Sequence, residues 1–281
     1  MLRIVLVALA ALTLVTPVAR AGEATPLTLV VLDPLAADLA CPCVKGYAQR
    51  DYPKLAEYLG KQIGRPVKVH FAETLAGALQ KKTDGKADLI IGKDSMIRFG
   101  ARQAKMEIEP LAALTGQDGK TTMKGLWIVH SKDKALVPND LAGYRLIFGN
   151  EDADEKYAAG VALLKSLEMK IPEKKECCDS CSTAAKKVVD GFEGGEKVAA
   201  IISSYAQPLL EGCGTVKKGE LRVVGETAEV PFITAFANTK LSATERTAIR
   251  DALLALSKDA ELCKKMETKS GFVTIDPAKK K

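Results

Sequence analysis

Two rhythms of apolar residues alternate along this chain. Leu27–Leu32 is a short run rich in Leu and Val whose length and flanks predict a buried strand. Pro66–Phe71 alternates and reads as a second strand, and between the two Tyr52–Ile63 predicts a helix closed by Gly64. A further helix at Leu75–Lys82 leads to a buried strand at Ala87–Ile91 that ends on Gly92, and another helix begins at Met96. The pattern then restarts. Gly125–Val129, Arg145–Phe148, Val198–Ile202, Leu221–Val224 and Pro231–Ala237 read as strands; Tyr157–Leu167, Thr183–Val189 and Ala243–Leu256 read as helices. No repeat of solenoid period is present. Strands that alternate with helices of about ten residues imply parallel sheets with crossover helices. The expectation is an α/β protein of two units, with the C-terminus returning to the first.

Composition narrows the function more than the fold. The 281 residues are 47% hydrophobic and 27% charged, an ordinary globular balance and enough chain for two units of common domain size. The net charge of +6 comes from lysines spread along the chain, with 5% aromatics, which argues against a nucleic-acid partner. Residues 1–21 have the marks of a secretory leader: Arg3 near the start, an apolar Ile4–Val15, and Ala19-Arg20-Ala21 as a cleavage pattern. Cleavage after Ala21 removes Arg3 and Arg20 and lowers the net charge from +6 to +4. No segment of the mature chain approaches the roughly 20 apolar residues of a membrane span. An exported, soluble protein is expected.

Three segments carry a resemblance. Asp51-Tyr52-Pro53-Lys54-Leu55-Ala56-Glu57-Tyr58-Leu59 with Gly64-Arg65-Pro66-Val67 is the first. Asp84-Gly85-Lys86-Ala87-Asp88-Leu89-Ile90 is the second, and Asp140-Leu141-Ala142-Gly143-Tyr144-Arg145-Leu146-Ile147-Phe148-Gly149 the third. In this order they resemble the phosphate/phosphite/phosphonate subfamily of periplasmic substrate-binding proteins of ABC transporters. The resemblance implies a two-lobed type 2 periplasmic-binding fold, each lobe a mainly parallel sheet flanked by helices, with the ligand cleft between lobes. Residues 22–119 and 232–281 would form lobe 1 and 120–231 lobe 2, with chain crossings near Lys120–Leu126 and Gly225–Pro231 as the hinge. It implies a periplasmic monomer that takes a small molecule or ion and presents it to a membrane permease. Strand ends and the helix N-termini that follow them would offer an anion site.

If the mapping holds, four loops and a strand end face the cleft. They are Cys41–Tyr47, Gly92-Lys93-Asp94-Ser95, Asn150–Glu155, Cys177–Thr183 and Ser203-Ser204-Tyr205. Candidate ligand contacts are Tyr47, Lys93, Asp94, Ser95, Asn150, Glu151, Asp152, Cys181, Ser182, Thr183, Ser203 and Tyr205. Two departures separate this chain from phosphonate binders of the family. Their third loop is rich in Ser, Thr and Gly, whereas here Glu151, Asp152, Asp154 and Glu155 put four carboxylates in five residues. Such a cluster, if desolvated, repels a dianion by several kcal/mol. Their fourth loop has a Ser-His pair where this chain has Cys181 and Ser182. An oxyanion by family and a cation or metal complex by these loops both stay open.

The seven cysteines admit several readings. Export makes disulfides the default, for instance stapling the first loop to the fourth with Cys213 as a further partner, and the odd count leaves at least one thiol unpaired. Cys263, in a helical pattern, is the expected buried one. A second reading is a Cu or Zn site of Cys41, Cys43, Cys178 and Cys181, the only cofactor the sequence suggests. A redox or accessory protein, or a partner of a sensor, is a third. Haem attachment would need His where Ser182 stands. His70 and His130 are expected to be structural, as is Trp127, while Lys45 is a further candidate for an anion. No G-x-S-x-G, H-E-x-x-H, Walker or Rossmann motif occurs, and a non-enzymatic protein is expected.

Overall fold

The computed structural model describes residues 25–40 and 49–275. Its strands are β1 (Leu27–Leu32), β2 (Val67–Phe71), β3 (Leu89–Lys93), β4 (Ile108–Leu114), β5 (Thr122–Met123), β6 (Gly125–His130), β7 (Arg145–Gly149), β8 (Glu176–Cys178), β9 (Val198–Ser203), β10 (Leu221–Glu226), β11 (Val230–Pro231), β12 (Ile233–Asn238) and β13 (Phe272–Val273). Its α-helices are α1 (Tyr52–Ile63), α2 (Leu75–Lys81), α3 (Asp94–Gln103), α4 (Ala158–Ser166), α5 (Cys181–Glu193), α6 (Ala206–Gly212), α7 (Ala243–Ala255) and α8 (Ala260–Lys265).

Local signals set the helix ends. The Asp51 carboxylate accepts from Lys54 N at the start of α1, Pro53 occupies the first turn, and Gly64 closes the helix in the left-handed region at φ 64°. Tyr52, Leu55, Ala56 and Leu59 then bury one stripe. At α7, Ser242 and Glu245 form a reciprocal capping box. The loop expected before Met96 is instead the first turn of α3, with Lys93 as its N-cap.

The strands make two sheets joined by a short ribbon. One sheet runs β13-β4-β12-β3-β1-β2, the other β10-β6-β9-β7-β8, and β11 pairs with β5. The chain therefore passes between sheets twice, and the passages pair antiparallel through Val230–Met123 and Pro231–Thr122. Parallel pairing holds among β1, β2 and β3 and among β7, β8 and β9. It gives way to antiparallel pairing at β4, β6, β10, β12 and β13, so each sheet is mixed. Apart from β13, these are the strands by which the chain leaves one sheet or enters the other.

Both faces of each sheet are covered, which is why the strands read as unbroken apolar runs. Leu29 and Val31 pack in one cluster with α1 and α7, while Val30 and Leu32 face the other way toward α2 and α3. In the second sheet Leu126 and Ile128 pack against α5, and Trp127 and Val129 against Phe148 and Leu164. Trp127 meets Phe148 edge-on at 5.2 Å, a core role.

Edge strand β8 is held by charge. Arg145 donates to both Glu176 oxygens at 2.8 and 2.9 Å, Lys187 adds a third contact at 2.8 Å, and Arg145 also reaches Glu196. The Arg145 hydrogen bonds hold Glu176 down to about 2. A depressed carboxylate contributes stability above its ordinary range, and loses it as pH falls toward the depressed value. Glu176→Gln is therefore expected to lower stability at neutral pH by about 1 kcal/mol, the network being partly exposed. Near pH 2, where the native carboxyl is itself half protonated, the variant and the native protein converge. Urea unfolding at the two pH values checks this.

Candidate functional site

The carboxyl ends of β1, β3, β7, β8 and β9 gather where the two sheets face each other. Register brings the starts of β6 and β12 to the same place, since Gly125 pairs with Ser203 and Ile233 with Lys93. Loop residues following these strand ends thus meet across the two sheets.

At the centre lies a buried ion pair. Lys93 Nζ, at the end of β3, is 2.6 Å from Glu155 Oε1 in the other lobe, with the side chains 3% and 0% exposed. Ser203 Oγ, at the end of β9, donates to the same oxygen at 2.6 Å. Among the described residues Glu155 Oε2 is buried with no hydrogen-bond partner. Beside it, Ser203 N donates to Cys181 Sγ at 3.5 Å. Tyr205 stacks on Phe232 at 5.3 Å between centroids. Burial pushes the Tyr205 hydroxyl well up, and nearby Cys181 and Glu155 reinforce the shift, so it stays neutral.

A second buried pair flanks the first. Asp33, following β1, accepts from Arg50 Nη1 at 2.8 Å and from the Tyr52 hydroxyl at 2.6 Å. Burial, then Asp33, raises Tyr52 well above the ordinary range. The Arg50 guanidinium lies 5.7 Å from the Phe232 centroid. Asp154 is raised by burial and by the neighbouring carboxylates Glu155 and Asp94, and its N–H donates to Ser95 Oγ at 3.3 Å, a contact between the lobes.

Next to these pairs is an interlobe cavity of about 640 Å³. Lys93, Met96 and Thr74 line it from one side, and Asn150, Asp152, Lys156, Ser182 and Tyr205 from the other. Lys156 is 7% exposed, its stem packed on Gly149, where a Cβ would fall 2.9 Å from Lys156 Cε. Among the described residues the Lys156 ammonium has no ion-pair partner.

The expected site residues divide accordingly. Lys93, Asn150, Asp152, Cys181, Ser182 and Tyr205 line one cavity. Ser203 is buried against Glu155, and Ser95 meets Asp154. Asp94 is taken up by Arg98 at 2.6 Å, and Glu151 is exposed, accepting from Tyr157. Thr183 is exposed, its N–H and hydroxyl engaged with the N-cap Ser180. Tyr47, Lys45, Cys41 and Cys43 lie outside the described residues.

The cysteine expectations need correction. Among the described residues Cys177, Cys178, Cys181, Cys213 and Cys263 are free thiols, so no disulfide staples the fourth loop to Cys213. Their surroundings differ: Cys178 is in the apolar core, Cys181 faces Ser203, and Cys213 contacts Thr215 at the end of α6. Among the described residues no three His, Cys, Asp or Glu side chains gather to hold a metal, so Cys178 and Cys181 assemble no Cu or Zn site there. His130 stacks on Phe192 at 4.1 Å, and Cys263 is buried.

Sequence reasoning missed Lys156, Asp33, Arg50 and the singular role of Glu155. Asp33, a carboxylate directly after a buried strand, was a readable signal. Nothing in Glu151–Glu155 distinguishes the one carboxylate that turns inward.

Residues 46–279 match the profile of the family described as ABC transporter, phosphonate, periplasmic substrate-binding protein. The fold is shared with solved structures of low identity. A binding protein component of an ABC phosphonate transporter from Pseudomonas aeruginosa is similar at TM-score 0.66 and 17% identity, over 90% of this chain and 82% of that one. PhnD1 from Prochlorococcus marinus, in complex with methylphosphonate, is similar at 0.64 and 13%, over 90% and 93%. A Xanthomonas citri protein bound to ATP is similar at 0.65 and 16%, over 90% and 92%. No curated protein matches the sequence. Among the described residues no helix is long and apolar enough to cross a membrane. With the profile spanning most of the chain and the fold to match, this protein belongs to the phosphonate-type periplasmic substrate-binding proteins of ABC transporters.

Proposed function

We propose that this protein captures a small anionic solute of the phosphonate class in its interlobe cavity and presents it to a membrane permease, without catalysing a reaction and without a metal. The observation that carries the reading is Lys156: a side chain buried along its stem whose ammonium, unpaired among the described residues, reaches the wall of a cavity of about 640 Å³. An ammonium facing a cavity with no carboxylate on it is free to make a charge-assisted contact with an arriving oxyanion. Ser182, in the first turn of α5, and Asn150 add polar contacts on the same wall.

In this reading Lys156, Asn150, Asp152, Cys181, Ser182 and Tyr205 bind from lobe 2 (120–231), and Lys93, its ammonium held by Glu155, borders the cavity from lobe 1 (22–119 and 232–281) with Ser95 beside it. The ribbon of β5 and β11 serves as the hinge, and closure over solute is what the permease would recognise. The protein acts as a monomer in the periplasm after cleavage following Ala21. Glu73, Asp152 and Asp179 also line the cavity, which favours a solute carrying an amine as well as the oxyanion.

Lys156→Met keeps the stem that packs on Gly149 and removes the charge. A charge-assisted contact is worth about 1.5–3 kcal/mol, so affinity for methylphosphonate should fall roughly tenfold or more. Titration calorimetry of both proteins with methylphosphonate and an aminoalkylphosphonate reads this directly. Equal affinity in the two proteins would overturn the reading, and tighter binding of the amine-bearing compound supports the role of the carboxylates.

A further inference from the structure

Two of the cations buried near the interlobe cavity are matched from within the chain. Arg50 has Asp33 and Lys93 has Glu155, and none of the four is more than 3% exposed. The Lys93 pair has a particular shape. An ammonium from one lobe and a hydroxyl from the other, Ser203, converge on a single oxygen, each at 2.6 Å. Both donors stand at the carboxyl ends of strands, β3 and β9. A cation and a hydroxyl converging across a cleft at strand ends is the donor set that an oxyanion takes. Here the oxyanion is part of the protein.

Two further observations separate this arrangement from an ordinary ion pair. Among the described residues the second oxygen, Oε2, is buried with no partner, so the carboxylate is held there by one oxygen while the other goes unmatched. Glu155 and Lys156 are consecutive and both buried, yet the first turns to Lys93 and the second to the cavity. The turn thus places a fixed anion on one cation and offers the other to solvent.

We propose that Glu155 determines specificity as a tethered anion: it fills the oxyanion position between Lys93 and Ser203, refuses that position to doubly charged solutes, and leaves Lys156 to receive the ligand. A free dianion and the Glu155 carboxylate cannot share these donors, because two like charges at contact distance in a buried site repel strongly. Removing the carboxylate exposes a donor pair already shaped for phosphate. Only the part assigned to Lys156 rests on the capture reading above.

The test uses the mature protein, with inorganic phosphate and methylphosphonate as probes in calorimetry. Glu155→Gln removes the charge that holds the side chain on Lys93 and Ser203, so that a neutral, more weakly held amide yields those donors to phosphate. Its affinity for phosphate should rise at least tenfold over that of the native protein. The double variant Lys93→Met/Glu155→Leu, which lacks the donor as well, should show no gain. Glu173→Gln, an exposed charge removed elsewhere, should stay within twofold of native. If Glu155→Gln does not fold in phosphate-free buffer, its unfolding is followed against phosphate at constant ionic strength. Rescue by phosphate and not by chloride supports the proposal; absence of rescue overturns it. A folded Glu155→Gln with native phosphate affinity overturns it too, as does an equal gain in the double variant. Native binding of methylphosphonate that depends on Lys156, with no gain in Glu155→Gln, overturns this inference while the capture reading stands. A native protein blind to both probes, with a gain in Glu155→Gln, does the reverse.

Discussion

Lys93→Met is expected to destabilise the protein by about 3–5 kcal/mol, while Lys93→Met/Glu155→Leu should lie close to the native stability or above it. The single change leaves Glu155 fully buried with one Ser203 hydrogen bond and no counter-charge. The double change replaces the pair with apolar side chains of similar volume, which avoids the desolvation of both ions. Urea unfolding of the native protein, both single variants and the double variant gives the coupling energy directly. Losses that simply add would mean that Lys93 and Glu155 do not depend on each other, contrary to a contact of 2.6 Å at such burial. The two lobes also become energetically linked through this contact, since Lys93 ends β3 of one sheet and Glu155 follows β7 of the other.

How far the sequence reveals this arrangement differs by residue. Buried strands and capped helices were legible because their signals are local: Asp51, Pro53 and Gly64 bound α1 without reference to anything distant. The strand β4 was not, because Pro110 argues against a strand. It is tolerated at a bulge, where pairing jumps from Ala235–Ala112 to Phe236–Pro110 and Leu111 is skipped. The helices α6 and α8 and the short strands β8 and β13 carry too few residues to show a period. At the site, Lys93, Ser203 and Tyr205 were legible as strand ends. The fate of the acidic loop was not. Four carboxylates in five residues suggest a charged surface or a repulsive cleft. Which one turns inward depends on a turn packed between the lobes, and that is a tertiary fact. Cysteine pairing failed for a similar reason, since sequence proximity and compartment say nothing of which environment each thiol enters.

Gly125→Ala should be among the most damaging small substitutions in the protein, with a loss on the order of 3 kcal/mol. A Cβ on Gly125 would overlap the backbone carbonyl oxygen of Glu155 and come within 2.7 Å of Ile201 Cδ1. The glycine cannot retreat: its N–H donates to Thr227 Oγ1 at 2.8 Å, its carbonyl accepts from Thr227 N at 2.9 Å, and it pairs with Ser203 in the sheet. Strain is relieved most readily by moving the 150–155 loop, which withdraws Glu155 from Lys93 and Ser203. The variant should therefore combine lost stability with a gain in phosphate affinity, the same direction expected of Glu155→Gln. Gly160→Ala separates this from plain overpacking. Its Cβ would meet the same Ile201 methyl at 2.8 Å, the flexible end of a side chain, and no backbone of the loop. Gly160 lies in α4, where alanine also gains up to about 1 kcal/mol of helix propensity. Its net effect should be small, and its phosphate affinity native. Thermal unfolding and phosphate calorimetry on the two variants read both quantities. A Gly125→Ala protein that is destabilised but native in anion affinity would show that the loop yields without releasing Glu155.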